Sequence, residues 1–359
     1  MFSNDDLSSL RWDPVSQAVE IIDQTLLPHT LRWCHLDSQH AFCHAISEMQ
    51  VRGAPLIGIT AAYGLAHALS EDASDENLEH ASARLLATRP TAVNLRWALQ
   101  QVGDAVRSLP GTQRAAAALD KAHSLRAEDI ANCERIGSNG LELLKPLHKG
   151  KTLNIMTHCN AGWLATIQWG TALAPVYKAQ ASGIPVHVWV SETRPRNQGT
   201  NLSAWELQRA GVPCTVVPDN NCGQLMRQGR VDAVIVGSDR TAANGDVCNK
   251  VGTYLKALAA AANDVPFFVA LPESTIDWTC ASGAEIPIEE RDESEVLSIA
   301  GVGAGGDLLE VNLAGQGTRA LNQAFDVTPA ALVGSLVTEH GCFRTSKEEL
   351  AELRAAIDA

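Results

Sequence analysis

Residues 152–162 read Thr152-Leu-Asn-Ile-Met-Thr157 and then His158-Cys159-Asn160-Ala161-Gly162, a short apolar run closing on a polar turn that ends in glycine. Further runs of this kind follow at 185–190, 213–217, 233–237 and 267–271, with helical spacing between them, as at 161–182 and 202–210. Continuous apolar runs mark strands buried on both faces, and helices between such strands are crossover connections. The pattern predicts an α/β fold whose second part is a Rossmann-like, doubly wound, mostly parallel sheet. Ligands in such sheets bind beyond the carboxyl ends of the strands. The segments to examine are therefore 158–162, 192–195 and 238–240.

Upstream, residues 10–25 alternate loosely around Trp12, Val19 and Ile21, with Asp13-Pro14 at a turn, and predict a short β-hairpin. Apolar spacing near the helical period then recurs at 41–48, 57–70, 77–87, 92–108 and 111–123, and a long helical pattern from about 127 ends at Pro146. A chain of 359 residues suits two domains. We place a smaller, mostly helical N-terminal domain with the hairpin at 1–126 and the Rossmann-like domain at 127–359.

The 28 basic residues against 41 acidic give a net charge of −13, so the surface as a whole repels phosphate backbones and anionic lipid. Neither nucleic acid nor membrane is an expected partner. A small anionic substrate is compatible, because a few Arg and Lys side chains suffice to gather in one pocket. The opening MFSNDDLSSL has neither a basic nor an apolar signal region, and no run is long and apolar enough to span a membrane. The nine cysteines are odd in number and never spaced C-x-x-C, which argues for reduced thiols in the cytoplasm.

Gly301-Val-Gly-Ala-Gly-Gly306 follows a plausible strand at 296–299 and formally matches a dinucleotide fingerprint. That fingerprint needs a helix opening from the glycines and an acidic residue about 20 residues on. Here a second glycine-rich stretch follows at Gly315-Gln-Gly317, so the segment reads as a surface loop and no nicotinamide cofactor is expected.

Four segments carry chemistry. Arg52-Gly53-Ala54-Pro55 and Arg89-Pro90-Thr91 each put a cation before a helix, where side-chain charge and free N–H groups meet an anion together; alone, an arginine in such a place is more often solvated or ion-paired. Cys159 falls where a helix is expected to begin, and a helix dipole eases ionisation of a thiol there; the plainer alternative is a buried structural cysteine. Asp239 closes the strand run Val234-Ile-Val, a place where a desolvated carboxyl keeps its proton and serves as an acid, or instead caps a turn or pairs with Arg240. Asn249-Lys250 reads as the opening of the next helix, with a donor amide and a cation, and 192–199 as a substrate loop or a solvated connection.

Taken in order, Arg52-Gly-Ala-Pro, Arg89-Pro-Thr-Ala-Val-Asn-Leu, Thr157-His-Cys-Asn-Ala-Gly, Glu192-Thr-Arg-Pro, Gln198-Gly, Ala204-Trp-Glu-Leu, Asp239-Arg, Ala242-Ala-Asn-Gly-Asp, Asn249-Lys, Ile286-Pro-Ile-Glu-Glu-Arg and Phe325-Asp-Val-Thr-Pro resemble the methylthioribose-1-phosphate isomerase family. That family is related to the regulatory subunits of the eukaryotic translation initiation exchange factor. The resemblance covers nearly the whole chain and departs at Ser238, where alanine is common, and at Asn201, where arginine is common. It implies substrate contacts at Arg52, Gly53, Ala54, Arg89, Gln198, Asn249 and Lys250, a proton-donor aspartate at Asp239 and a transition-state cysteine at Cys159. It also implies a homodimer without metal or cofactor, and a sugar phosphate as the small-molecule partner. The reaction implied is 5-methylthioribose 1-phosphate to 5-methylthioribulose 1-phosphate in methionine salvage. The rivals are 5-deoxyribose 1-phosphate or ribose 1,5-bisphosphate as substrate, and a non-catalytic regulatory subunit. Trp163 is either a wall for the methylthio group or core packing.

Overall fold

The computed structural model describes residues 7–358. The first six residues of the acidic opening, and with them most of the stretch read for a signal, lie outside it.

A seven-stranded sheet organises the second part of the chain, in the order Gly341–Phe343, Ser335–Thr338, Phe267–Ala270, Ala233–Val236, Leu153–Thr157, Val186–Ser191, Cys214–Val217. All neighbours are parallel except the first pair, which is antiparallel. The five strands read from apolar runs are there within a residue at each end. Ala233–Val236, Phe267–Ala270 and most of Leu153–Thr157 are buried, because helices cover both faces. Numbered along the chain, the six parallel strands run 6-5-4-1-2-3. The order therefore reverses between Leu153–Thr157 and Ala233–Val236, leaving a crevice at their carboxyl ends.

The first part is richer in strand than the sequence suggests. Leu10–Asp13 and Ala18–Ile22 pair as the expected hairpin, and Trp33–Leu36 adds a third antiparallel strand. Its Trp-Cys-His-Leu has no clean alternation, so it gave no strand signal. Helices Gln39–Ser47, Ala54–Glu71, Asp75–Thr88 and Val93–Val106 follow. Ala54–Glu71 is apolar on nearly every side and lies in the middle of the bundle, burying Leu56, Ile59, Leu65 and Leu69. The patterns at 111–123 and 127–144 are one helix, Gly111–Leu144, of 34 residues. Its first half packs Ala118, Ala122 and Leu125 into the helical core, and its second half packs Ile136, Leu141 and Leu144 under the sheet.

Two expectations fail. The segment 161–182 is not one helix: a short turn at Trp163–Ala165 leads through irregular buried chain to a helix only at Ala174–Ala181. Trp169 and Gly170 both hold left-handed backbone, which breaks a regular helical course. Asn249 and Lys250 do not open a helix either. They end strand Val247–Lys250 of a second sheet, ordered Ile276–Asp277, Arg240–Ala242, Val247–Lys250, Phe325–Thr328, and the helix starts at Thr253. The glycine-rich 301–306 joins Ser298–Val302 to Leu308–Asn312 in an exposed two-stranded hairpin, without a helix.

Candidate active site

Cys159 and Asp239 leave the carboxyl ends of Leu153–Thr157 and Ala233–Val236, one on each side of the point where strand order reverses. They line one cleft together with Arg52, Gly53, Ala54, Arg89, Gln198 and Lys250. Asn249 lines an adjoining space that also reaches Cys159 and Asp239, and its amide donates to Thr253 Oγ1 at 3.0 Å.

The wall of the cleft that carries Arg52 and Arg89 comes from the helical part. Gly53 (φ 96°) precedes helix Ala54–Glu71 and passes so close to Ala165 that a Cβ would lie 2.5 Å from its carbonyl oxygen. Beside that contact the buried Arg52 lines the cleft and donates to the side-chain oxygen of Asn160 and, at 2.9 Å, to its backbone oxygen. Arg89 caps the preceding helix and reaches Glu289 at 3.6 Å. Lys250 is buried, with its Nζ 4.8 Å from the Phe325 ring centre.

Three more cations of the cleft, Arg196, Arg240 and Arg291, were not singled out from the sequence as substrate contacts. Each is paired with a carboxylate: Arg196 bonds Glu295 at 2.8 Å, Arg291 bonds Glu289 at 2.9 Å and Glu295 at 2.8 Å, and Arg240 pairs with Asp277. The quoted motif ending in Glu289-Glu-Arg291 held the signal for this cluster. The Nε atoms of Arg52 and Arg89 and Oε1 of Gln198 are buried without a protein partner. Such atoms stand ready for a polar ligand.

Burial raises the Asp239 carboxyl above the ordinary range, against the pull of Lys250, Arg52 and Arg89. Burial likewise lowers the Lys250 ammonium and raises the Cys159 thiol, the latter against Arg52 and Lys250. Cys159 has φ 61° and no helix begins after it. The expected dipole activation is thus replaced by a buried, neutral thiol. Trp163 is fully buried and packs on Trp205 at 5.8 Å, away from the cleft lining, so the core-packing reading holds. Among the described residues one group has metal-ligand geometry, Glu273, Glu339 and His340, with ligand atoms within 4.8 Å; it lies outside the cleft lining and is tied internally by His340 Nε2 to Glu273 at 2.6 Å.

The fold and this crevice define a class, and comparison with known proteins agrees with it. Residues 50–345 match the Initiation factor 2 subunit family. Methylthioribose-1-phosphate isomerase from Methylocella silvestris is 56% identical over 339 residues, covering 93% of each chain. The crystal structure of 5-methylthioribose 1-phosphate isomerase from Pyrococcus horikoshii OT3 superposes with a TM-score of 0.84 at 36% identity, covering 98% of this chain and 96% of that one. The translation initiation factor eIF-2B subunit delta from A. fulgidus gives a TM-score of 0.80 at 34% identity, covering 99% and 100%. The chain belongs to the Initiation factor 2 subunit family and, within it, to the methylthioribose-1-phosphate isomerases.

Proposed function

We propose that the chain is the aldose–ketose isomerase that converts 5-methylthio-α-D-ribose 1-phosphate to 5-methylthio-D-ribulose 1-phosphate in methionine salvage. The observation that carries this reading is the crevice itself. An acid and a thiol flank the strand reversal, opposite Arg52, Lys250 and Arg89, the last of which reaches Glu289 at 3.6 Å and shares that carboxylate with Arg291.

A phosphate on the anomeric oxygen locks the sugar as a ring, so ring opening must come first. Asp239, whose carboxyl burial raises above the ordinary range, gives its proton to the ring oxygen as the bond from that oxygen to C1 breaks. Arg52, Arg89 and Lys250 hold the phosphate. A hydride then passes from C2 to C1, and the C2 hydroxyl gives its proton to the Asp239 carboxylate as it becomes the ketone, which restores the acid. A neutral buried thiol is a poor base, which favours direct hydride transfer with Cys159 shaping the pocket over a relay through Cys159. Conversion in deuterated water followed by NMR tests both claims. No ketose would refute the activity, and deuterium at C1 would refute the direct transfer.

The paired state of Arg196, Arg240 and Arg291 favours an uncharged group at C5 over a second phosphate. Ile57, Ile286, Pro287 and Phe325 offer that group an apolar wall. A regulatory subunit has no chemical use for Cys159 and Asp239 at one crevice, which weighs against that reading.

The same proposal takes in the two-domain division at residue 126, with helix Gly111–Leu144 as the shared strut, and the mostly helical character of the first unit. It also takes in a cytoplasmic location and a homodimer. No helix of the described residues is long and apolar enough to cross a membrane. Leu255 and Leu258, exposed at 70% and 41% on helix Thr253–Ala261, offer an apolar patch for a second copy.

A further inference from the structure

Two residues beside the cleft hold a left-handed backbone that side chains rarely adopt, Cys159 at φ 61° and Thr193 at φ 68°. For β-branched threonine this is a true outlier, and such strain persists only where surrounding contacts enforce it. The enforcing contacts come from the loops after three neighbouring parallel strands. Cys159 follows Leu153–Thr157, Thr193 follows Val186–Ser191, and Asp219 follows Cys214–Val217.

The Cys159 N–H donates to Thr193 Oγ1 at 2.8 Å, and Thr193 Oγ1 donates onward to the Ser191 carbonyl at 2.9 Å. Asp219 accepts from the N–H groups of Thr193 at 2.8 Å and Arg194 at 2.7 Å, and from the Ser191 hydroxyl. On the other side of Cys159, Ser203 Oγ donates to its carbonyl oxygen at 2.7 Å. The strained peptide is therefore gripped at both ends. Behind it, His158 Nδ1 and Lys256 Nζ each stand 3.9 Å from the Asp219 carboxylate. Burial opposes the Asp219 charge, yet the Ser191 hydroxyl and Lys256 hold its carboxyl below the ordinary range.

We propose that Thr193 is a positioning residue for Cys159, and that Asp219 is the anchor that keeps Thr193 in its left-handed turn. The side chain of Cys159 lines the cleft because its backbone takes this conformation. Released from the Thr193 hydroxyl, the peptide relaxes toward ordinary backbone and turns the thiol away from the reacting carbons. The proposal rests on the functional reading above for what the thiol does, and on the hydrogen bonds alone for how it is held.

The test compares Thr193→Val, which keeps the shape and loses the acceptor, with Thr193→Ser, which keeps the acceptor. Turnover of 5-methylthioribose 1-phosphate is measured with the amide exchange of a peptide spanning Cys159. Thr193→Val is expected to lower kcat by about 10- to 100-fold while KM stays within about twofold, as for a misplaced reacting group. Its Cys159 amide should exchange about tenfold faster or more, reflecting loss of the bond. Thr193→Ser should restore both. A Thr193→Val enzyme with wild-type kcat, a loss confined to KM, unchanged exchange, or a Thr193→Ser enzyme equally impaired would each overturn the proposal. Should Thr193→Val fail to fold, Asp219→Asn carries the same test, with faster Cys159 exchange and lower kcat expected and wild-type values for both overturning it. If the wild type turns over no such sugar, the functional reading fails on its own, and the exchange rates still decide the positioning.

Discussion

The Arg52 guanidinium grips Asn160, the residue after Cys159, through both its side-chain and its backbone oxygen. One cation thus joins the helical part of the chain to the crevice of the sheet. Lysine keeps the charge but not the planar fork. Arg52→Lys is expected to raise KM about tenfold or more and to lower kcat as the Cys159 loop loosens, both read from steady-state kinetics.

In the proposed mechanism Asp239 is the acid, so removing its proton should stop ring opening. Asp239→Asn is expected to lower kcat by about 10²- to 10⁴-fold with an unchanged circular dichroism spectrum. Because burial raises this carboxyl, the active protonated form survives to higher pH than for an ordinary aspartate and is lost as pH rises through the raised value. The wild-type rate should therefore fall on the alkaline side, and the residual rate of Asp239→Asn should lack that limb. A variant with near-wild-type turnover would remove Asp239 from the mechanism.

His158 is fully buried, its Nε2 donates to the Val251 carbonyl at 2.8 Å, and burial followed by the Lys256 charge pushes its pKa down to about 3. The unfolded chain, with an ordinary histidine near 6.5, binds the extra proton between these values. Stability from this residue is complete above about pH 6.5 and is lost as pH falls toward 3. Glu206 and Asp129, each raised to about 7 by burial, act with the opposite sign between their ordinary values and 7. The comparison is therefore between wild type and His158→Gln at each pH. Between pH 8 and 5 the wild type should lose about 2 kcal/mol more than the variant, read from urea midpoints.

Gly162 faces the carboxylate of Glu206, which itself accepts from the Leu164 N–H at 3.1 Å and the Tyr177 hydroxyl at 2.9 Å. A methyl group there would overlap Oε1. Gly162→Ala is expected to cost about 1–3 kcal/mol, seen as a lower urea midpoint. Equal midpoints for the two proteins would show that the loop yields at no cost.

The buried strands were legible because each is a short, mainly apolar run of strand length, and their alternation with helices sufficed to place Cys159 and Asp239 at strand ends. Trp33–Leu36 and Ser335–Thr338 were not, since a short strand of mixed residues takes its character from its neighbours. The chain after Cys159 misled for a related reason. Its spacing of Leu164, Ile167 and Leu173 suits a helix, but it is equally the spacing of a loop buried on all sides, as the positive φ of Trp169 and Gly170 attests. The arginine cluster stayed hidden because its meaning lies in pairs such as Arg196 with Glu295, far apart in sequence. Thr193 was legible only as part of a loop, since nothing local tells that its hydroxyl serves another strand's turn.

Helix Gly111–Leu144, about 51 Å long at the usual rise, belongs to two hydrophobic cores at once. Neither core can lose its share of that helix without fraying the other, so the two are expected to melt in a single cooperative transition. The long helix thus makes folding of the arginine-bearing wall and folding of the acid-bearing sheet one event, and a chain with half a site has no stable form to occupy.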